Sequence, residues 1–499
     1  MAAEGVQLLV IGGGITGAGI ARDAAMRGLS VGLVERGDFA SGTSSRSSKL
    51  IHGGLRYLEQ GEVGLVLEAA RERRCLTEIA PHLAHRARQA MPVHGRTSAG
   101  LMKLRAGLWA FEKMAKAPRD DRHELWDRDE SLARIPGLDP DRLQGSAVYT
   151  EYITDDARLT LETLKSAKRY GAHVVNRAPA VSLQEREARA TQSPEGSSRP
   201  SQLAVGVMDE LSGKRFEVQA SVVVNAAGPW VDAVRRLGGA QKDRMQLTKG
   251  IHLVLPRERL PVDDIVVMRA EDRRLVFVVP WGEIVWIGTT DTFYPKAVER
   301  PEITRADVDY LLDATNKAWP GAAIAAGDVQ GAWAGVRPLL SQDGKNPSEI
   351  SRKDEVLIEP SGLLSIAGGK LTTYRQMAER VVDAVVERLG DRSKPSRTAQ
   401  VPLVEGEEPV PMVRTTLAAA DIEYAIEAES ALSITDVLER RARANLFATD
   451  NGLGAVEAVA AALRRRLGWS DEHAESEMQA YRARIAEDLA WRDGKSEEP

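Results

Sequence analysis

Apolar residues along the chain fall into short continuous runs, separated by small residues and by longer amphipathic stretches. The first run, VQLLVI at residues 6–11, stops at three consecutive glycines, and the second, LSVGLVE, ends at Glu35. Similar runs lie near residues 225 and 365. Continuous apolar runs are typical of parallel strands that are buried on both faces. We therefore predict an α/β arrangement in which a helix over residues 15–27 follows the first strand.

The glycines after the first strand form the pattern Gly12-x-Gly14-x-x-Gly17. In such a pattern the first glycine permits a tight turn, the second lets a phosphate approach the backbone, and the third lets the helix pack on the strand. Glu35 ends the second strand, where a carboxylate accepts hydrogen bonds from ribose hydroxyls and disfavours a 2′-phosphate. The pattern predicts a dinucleotide site for FAD or NAD rather than for NADP.

The spacing of the strands distinguishes between these two cofactors. A typical NAD domain is complete within about 150 residues, whereas strands of the same type recur here near residues 10, 225 and 365. Insertions that interrupt one nucleotide-binding domain produce such spacing, and flavoproteins that build a substrate domain from insertions are of this kind. We therefore expect FAD to be the cofactor.

Further motifs resemble those of the FAD-dependent glycerol-3-phosphate dehydrogenases, within the glycine-oxidase/D-amino-acid-oxidase class of flavoproteins. They are, in chain order, SGTSSRSSKLIHGGLRYLE, EYITDDARLT, NAAGPWVD, PWGEIVWIGTTDT, GVRPLL, SRKDEVLIE and AGGKLTTYRQMAE. The resemblance implies oxidation of sn-glycerol 3-phosphate to dihydroxyacetone phosphate by hydride transfer to FAD, with electrons passed to a membrane quinone. The alternatives are an oxygen-using glycerophosphate oxidase that produces hydrogen peroxide, and a flavoprotein amine or amino-acid oxidase.

Pattern and resemblance together predict an α/β fold, in which a Rossmann-like FAD-binding domain is interrupted by an α+β substrate domain and followed by a C-terminal helical domain. The 499 residues are too many for one ordinary core. We expect a discontinuous FAD-binding domain over residues 1–85, 145–235 and 350–390, and a substrate-binding domain over 86–144 and 236–349. A linker over 391–412 then leads to helices over 413–499.

The expected cofactor contacts come from the glycine pattern, from the hydroxyl-rich loop after the second strand and from the glycine pair near residue 368. Hydroxyls suit the pyrophosphate and Lys49 can add charge, although composition alone favours a solvated serine-rich loop. Thr372 has helix capping as its alternative role. The full set is Gly12, Gly14, Thr16, Gly17, Glu35, Arg36, Ser44, Ser45, Ser48, Lys49, Leu50, His52, Gly54, Ala180, Ala227, Gly228, Gly368, Gly369, Lys370, Leu371 and Thr372.

Cations in apolar settings are the candidates for binding the substrate phosphate. Arg337 lies within GVRPLL, and an arginine buried there needs a partner. Arginine forks match phosphate because they offer planar paired donors. Each cation taken alone is more typical of a structural ion pair. The resemblance nevertheless implies that Arg56, Arg337, Arg352 and Lys370 lie around the substrate phosphate and the flavin, with Tyr57 beside Arg56.

The catalytic base is the least determined part of the site. His52 lies near the flavin by motif, and the ordinary pKa of histidine suits proton transfer near neutrality. Lys249 and His252, in LTKGIHLVL, are the competing candidates. A neutral structural role remains an equal alternative for either histidine.

Charge and composition limit the partners and the compartment. The net charge of −5 argues against nucleic acid, and the single cysteine, Cys75, has no partner for a disulfide and no metal-ligand spacing. Residues 100–117 mix basic with large apolar side chains, which suits either a core-packed helix or a helix on an anionic bilayer surface. The resemblance favours the bilayer, so we expect a cytoplasmic protein held peripherally on the inner face of the cytoplasmic membrane, with a homodimer as a further expectation.

Overall fold

The structure is a computed structural model that describes residues 4–53, 62–186, 202–295, 298–342, 344, 346–347, 350–390, 394–406, 408–410, 412 and 417–493. The strands are β1 (Val6–Ile11), β2 (Val31–Val34), β3 (Leu50–Ile51), β4 (His85–His94), β5 (Glu124–Trp126), β6 (Leu143–Ile153), β7 (His173–Val175), β8 (Ala180–Arg186), β9 (Gln202–Met208), β10 (Arg215–Asn225), β11 (Met245–Pro256), β12 (Ile265–Arg269), β13 (Leu275–Trp281), β14 (Ile284–Gly288), β15 (Thr292–Phe293), β16 (Gly331–Leu340), β17 (Asp354–Ile358) and β18 (Leu364–Gly368).

The α-helices are α1 (Ile15–Met26), α2 (Val63–Ile79), α3 (Ala99–Ala115), α4 (Arg128–Arg134), α5 (Asp156–Arg169), α6 (Val231–Leu237), α7 (Arg305–Ala318), α8 (Tyr374–Leu389), α9 (Ala419–Glu427), α10 (Ala444–Phe447), α11 (Val456–Leu467) and α12 (Asp471–Asp488). A π-helical turn, Asp436–Arg441, precedes α10.

The apolar runs near residues 10, 225 and 365 lie side by side in the first sheet. Its main path is β17-β18-β10-β1-β2-β7, and β1 runs parallel to both β10 and β2. Helices α1, α5 and α8 cover it through a core that includes Ala18, Ala21, Leu161 and Val381. Segments far apart in sequence therefore complete one nucleotide-binding sheet, which confirms the predicted interruption of the Rossmann-like domain.

The second sheet follows the path β15-β11-β14-β13-β12-β4-β6-β3, with β16 added to β11 and β5 added to β6. Helix α7 packs on it, and Ile251, Leu253, Val278 and Leu311 are among the core residues. The predicted boundary at residue 145 lies inside β6, which belongs to this sheet along its whole length. The chain therefore returns to the first sheet only after β6. Strand β3, within the predicted segment 1–85, also pairs with β6 in the second sheet, and we propose the remaining domain division as predicted.

The C-terminal helices form a separate apolar cluster. Its core contains Ile422, Val437, Val459, Leu463 and Tyr481, contributed by α9, the π-helical turn, α11 and α12. Two sheets with a terminal helical bundle agree with the predicted fold class.

Candidate active site

A large cavity is lined by residues of both sheets and of the C-terminal helical region. Its volume is about 1340 Å³, which exceeds the roughly 300–1,000 Å³ typical of pockets for small ligands. Residues after β1 and β2 line one part, and residues of β11, β16 and the end of β18 line another. The cavity therefore joins the nucleotide fingerprint to the predicted substrate residues.

The glycine fingerprint brings the start of α1 to the cavity wall. Gly12 has φ +116°, and a Cβ there would lie 2.6 Å from the carbonyl oxygen of Ala226. A Cβ on Gly17 would overlap the carbonyl oxygen of Gly12. Gly14 caps the helix and lines the cavity. The amide groups at this end, with the helix dipole behind them, suit a pyrophosphate.

The carboxylate of Glu35 lies at the carboxyl end of β2, as the fingerprint predicts. It accepts hydrogen bonds from the amides of Gly13 at 2.6 Å and Gly37 at 2.7 Å. Burial raises the pKa of Glu35, against the two amide bonds that favour its ionised form. Each carboxylate oxygen keeps a further lone pair, so Glu35 can also accept from ribose hydroxyls.

The hydroxyl-rich loop is divided between the cavity and the protein interior. Ser44 and Ser48 line the cavity, and Ser44 Oγ also accepts from the amide of Ile15 at 2.9 Å. Ser45 is buried and its carbonyl accepts from the ammonium of Lys49 at 3.2 Å. This loop is therefore more than the solvated surface that its composition suggests.

Lys49 does not serve as the predicted charge on the pyrophosphate. Its side chain is 1% exposed, its ammonium pairs with Asp156 at 2.8 Å, and Lys49 is not among the residues that line the cavity. Lys49 also lies over the ring of Trp333, 5.3 Å from the centroid. An ammonium removed from water needs a fixed counter-charge, and Asp156 provides it. The prediction was wrong because the sequence does not show towards which side of the loop Lys49 points.

Arginine and lysine side chains converge on the other part of the cavity. Arg337, Arg352 and Lys370 all line it, although they come from β16, from the segment before β17 and from the turn after β18. A carboxylate that sequence reasoning missed, Asp291, lies between the two arginines, with Oδ1 at 3.1 Å from Arg337 and Oδ2 at 3.9 Å from Arg352.

Arg337 is held in one orientation by several contacts. Besides Asp291 it donates to Thr289 Oγ1 at 3.0 Å and to the carbonyl of Thr290 at 3.3 Å. A Cβ on Gly250 would overlap its guanidinium. The requirement for a partner could be predicted from the apolar setting of Arg337, but the partner itself, 46 residues away, could not.

His252 lies buried at the wall of the same cavity. Its ring stacks on Trp333 with centroids 4.5 Å apart, and Nε2 bonds with Ser48 Oγ at 2.8 Å. The Nδ1 atom has no hydrogen-bond partner among the described residues. Burial, with the positive charges of Arg337 and Lys49, holds the pKa of His252 well below its usual 6.5. His252 is therefore neutral at physiological pH.

His52 also lines the cavity, and its backbone is fixed by the turn after β18. Thr372 Oγ1 donates to the carbonyl of His52 at 2.8 Å and accepts from its amide at 3.2 Å. The ammonium of Lys370 donates to the same carbonyl. The His52 ring meets Phe277 edge-on at 5.8 Å. Thr372 thus holds the backbone of His52. It does not cap α8, which begins without a side-chain cap.

Lys249 is removed from the candidates for the catalytic base. Its ammonium pairs with Asp307 at 2.5 Å and donates to the carbonyl of Glu302 at 2.9 Å. Unlike the two histidines, it is not among the residues that line the cavity. The ammonium of Lys249 is therefore held in a structural ion pair and is not part of the cavity wall.

The structure brings most of the predicted site residues to this one cavity. Those that line it are Gly12, Gly14, Thr16, Glu35, Arg36, Ser44, Ser48, Leu50, His52, Ala180, Ala227, Gly228, His252, Arg337, Arg352, Gly368, Gly369, Lys370 and Leu371. Four predicted residues do not line the cavity but contact residues that do, namely Gly17, Ser45, Lys49 and Thr372. Gly54, Arg56 and Tyr57 lie outside the described residues.

This fold and site define a class of protein. Residues 7–375 match the family model described as FAD dependent oxidoreductase, and residues 371–474 match the C-terminal domain of alpha-glycerophosphate oxidase. The chain belongs to the FAD-dependent oxidoreductase family, and FAD is its cofactor.

Individual relatives within this family share one enzyme name. The chain is 42% identical over 393 residues to the aerobic glycerol-3-phosphate dehydrogenase of Staphylococcus haemolyticus, covering 78% of this chain and 69% of that protein. It is also 42% identical over 406 residues to the enzyme of that name from Bacillus subtilis, covering 80% and 71%. These matches confirm the predicted resemblance.

A solved structure agrees with these relatives. The glycerol-3-phosphate dehydrogenase of Bacillus halodurans, complexed with FAD, superposes with a TM-score of 0.77 at 30% identity, covering 98% of this chain and 96% of that one. The residues of the present cavity fit the cofactor, because backbone amides at the start of α1 and hydroxyls of the following loop line it and suit a pyrophosphate, and the Glu35 carboxylate can accept from ribose hydroxyls.

Because the pKa of His252 is lowered in the folded protein, we expect the free energy of unfolding to depend on pH. The unfolded chain binds a proton near pH 6.5 and the folded chain does not, so the free energy of unfolding should fall as the pH drops below 6.5. The slope attributable to His252 is at most about 1.4 kcal/mol per pH unit. Denaturant unfolding at pH 7 and pH 5 should show a weaker pH dependence in His252→Gln than in wild type. His85→Gln, at a surface position, is the control; equal slopes in wild type and His252→Gln would contradict the prediction.

Proposed function

We propose that the protein oxidises sn-glycerol 3-phosphate to dihydroxyacetone phosphate and passes the electrons to a membrane quinone. The observation that carries this proposal is the convergence of Arg337, Arg352 and Lys370 on the cavity that the nucleotide fingerprint also lines. A local cluster of cations in a chain of net charge −5 suits a small anionic substrate. The names of the relatives described above support the same substrate.

The chain supplies binding and proton transfer, whereas bound FAD supplies the acceptor for the substrate hydride. The guanidinium of Arg337 binds the phosphate. Asp291 orients the guanidinium groups of Arg337 and Arg352 through its contacts with both. We propose that His52 accepts the hydroxyl proton, with neutral His252 as the competing acceptor. His52→Ala should lower kcat far more than it changes KM, and a loss confined to His252→Ala would transfer the role to His252.

Substrate competition tests the proposed function. Turnover with sn-glycerol 3-phosphate should exceed turnover with glycerol, amines or amino acids by a large factor. Glycerol and simple amines offer the cations no anionic group, and an amino-acid carboxylate carries less negative charge than a phosphate monoester. Inorganic phosphate should inhibit competitively. Preferential turnover of an amino acid would favour the amine or amino-acid oxidase alternative and would contradict the proposal.

The electron acceptor is tested separately. Purified enzyme supplied with sn-glycerol 3-phosphate should reduce a ubiquinone analogue quickly and yield little hydrogen peroxide in air. Stoichiometric peroxide with slow quinone reduction would instead identify an oxygen-using oxidase with the same substrate.

Helix α3 supports the proposed contact with the bilayer surface. Leu108 and Phe111 pack inwards, whereas Met102 and Trp109 are 51% and 58% exposed. Lys103, Arg105 and Lys113 lie on the exposed side of the same helix, and basic residues beside exposed apolar ones are typical of interfacial helices. Among the helices that the structure describes, none has the length and apolarity needed to cross a bilayer. We propose a peripheral attachment through α3 on the cytoplasmic face.

Trp109→Glu should weaken binding to vesicles of mixed neutral and anionic lipid. Loss of one large apolar side chain that would enter the bilayer, together with addition of a negative charge, should reduce the partition coefficient by about tenfold or more. Vesicle sedimentation measures this coefficient. Ile358→Glu, at a position 68% exposed on β17, is the matched control. Equal binding by both variants and wild type would exclude α3 as the attachment surface.

A further inference from the structure

The C-terminal helical region contacts the nucleotide-binding part through buried charges. Arg440 and Arg441 both pair with Asp38, three residues after Glu35, and all three side chains are at most 5% exposed. Arg440 also pairs with Asp436 at 2.5 Å. Asp38 lies on the loop whose backbone amide at Gly37 binds the Glu35 carboxylate. Arginines of the C-terminal helical region thus fix the loop after β2.

Arg443 makes a second buried connection, to the hydroxyl-rich loop. Its guanidinium is 3% exposed and donates to the carbonyl of Ser45 through both terminal nitrogens, each at 3.3 Å. It also donates to Asp155 at 3.2 Å and pairs with Asp156. Arg443 itself is not among the cavity-lining residues, whereas Ser44 and Ser48 of the loop are.

Asp156 joins these contacts to the loop backbone. It accepts from the amide of Ser47 at 2.9 Å, from the Ser47 hydroxyl at 2.7 Å and from Lys49 at 2.8 Å, in addition to Arg443. Burial alone would raise the pKa of Asp156, but Lys49 and Arg443 outweigh it and lower that pKa. The carboxylate therefore stays ionised and keeps all of its donors.

Buried ion pairs of this kind contribute more to geometry than to net stability, but removing one partner leaves an uncompensated charge. We propose that the C-terminal helical region is part of the apparatus that binds FAD. Arg443 acts as a positioning residue for the loop that carries Ser44 and Ser48, while Arg440 and Arg441 position the loop after Glu35. Docking of the helical region and binding of FAD are then thermodynamically linked. This inference does not depend on the identity of the substrate.

Arg443→Met tests the proposal through the affinity for FAD. Apoprotein of the variant, titrated with FAD and followed by flavin fluorescence, should show a dissociation constant raised by about tenfold or more. The KM of the FAD-loaded variant for sn-glycerol 3-phosphate should change little, because Arg443 does not line the cavity. Arg443→Lys retains the charge without the fork and should recover part of the affinity.

Arg466→Met is the matched control, because Arg466 belongs to the same region and pairs with Glu423 and Glu427 at the surface. It should bind FAD as tightly as wild type. A folded Arg443→Met variant with the wild-type dissociation constant for FAD would overturn the proposal.

Hydrogen exchange of the wild-type protein provides a test that does not require any variant to fold. The amides of α11, which do not line the cavity, should exchange about tenfold or more slowly when FAD is present in excess than in the apoprotein. Unchanged exchange in α11 would show that the helical region is not linked to the cofactor and would overturn the proposal.

Discussion

Gly14→Val should yield a folded protein that binds FAD about a hundredfold or more weakly. The backbone at Gly14 is extended and accepts a side chain, and a Cβ there would require only a small shift of the Ser44 hydroxyl, 3.0 Å away. The valine methyl groups would instead enter the cavity beside the start of α1, where the amides would hold the pyrophosphate. Overpacking typically costs about 1–3 kcal/mol, and a hundredfold loss of affinity corresponds to roughly 2.8 kcal/mol.

Flavin absorbance of the purified variant, and FAD titration of the apoprotein, measure this effect. Gly107→Val is the control, since no atom lies within 4 Å of a Cβ at Gly107 on α3. The control should be isolated with its full complement of flavin. Purification of Gly14→Val with the same flavin content as wild type would contradict the assignment of the fingerprint.

Arg337→Ala should raise the KM for sn-glycerol 3-phosphate by roughly two orders of magnitude while leaving the flavin content unchanged. Truncating one partner of a buried charged contact typically costs about 2–5 kcal/mol, and the loss includes the repulsion of the phosphate by an Asp291 carboxylate that has lost its closer guanidinium. Arg337→Lys should be intermediate, because it keeps the charge but loses the fork.

Steady-state kinetics with absorbance-based flavin quantification separates substrate binding from cofactor binding. Arg88→Ala is the matched control, because Arg88 forms a two-pronged pair with Asp264, 2.9 Å at each prong, on the same sheet but outside the cavity. Its KM should stay at the wild-type value. An unchanged KM in Arg337→Ala would remove Arg337 from the phosphate site.

The nucleotide-binding part of the site could be predicted from local sequence patterns. A strand, three spaced glycines and a terminal acid are all within 35 residues, and each has a backbone reason that acts over a few residues. Gly17 illustrates this, since its predicted close packing on the strand corresponds to a Cβ that would overlap Gly12. Positions of this kind are predictable because geometry within one βα unit fixes them.

Partners that meet only in the folded chain could not be predicted from local patterns. Asp291 accepts from Arg337 across 46 residues, and Arg443 reaches Asp156 across 287. Lys49 is an example. Its predicted contact with the cofactor depended on the direction of its side chain, and that direction is set by Asp156 and the C-terminal region. A charge predicted to be buried indicates that a partner exists. Which carboxylate is that partner depends on the sheet topology, which local patterns do not show.

Anaerobic addition of sn-glycerol 3-phosphate to the purified protein tests the central claim most directly. FAD held beside cations that bind a phosphoester predicts a yellow protein whose visible flavin absorbance is bleached by this compound and restored by a quinone analogue, with no bleaching by glycerol or amino acids. A protein that is colourless after reconstitution with FAD, or a flavin spectrum that sn-glycerol 3-phosphate leaves unchanged, would contradict it.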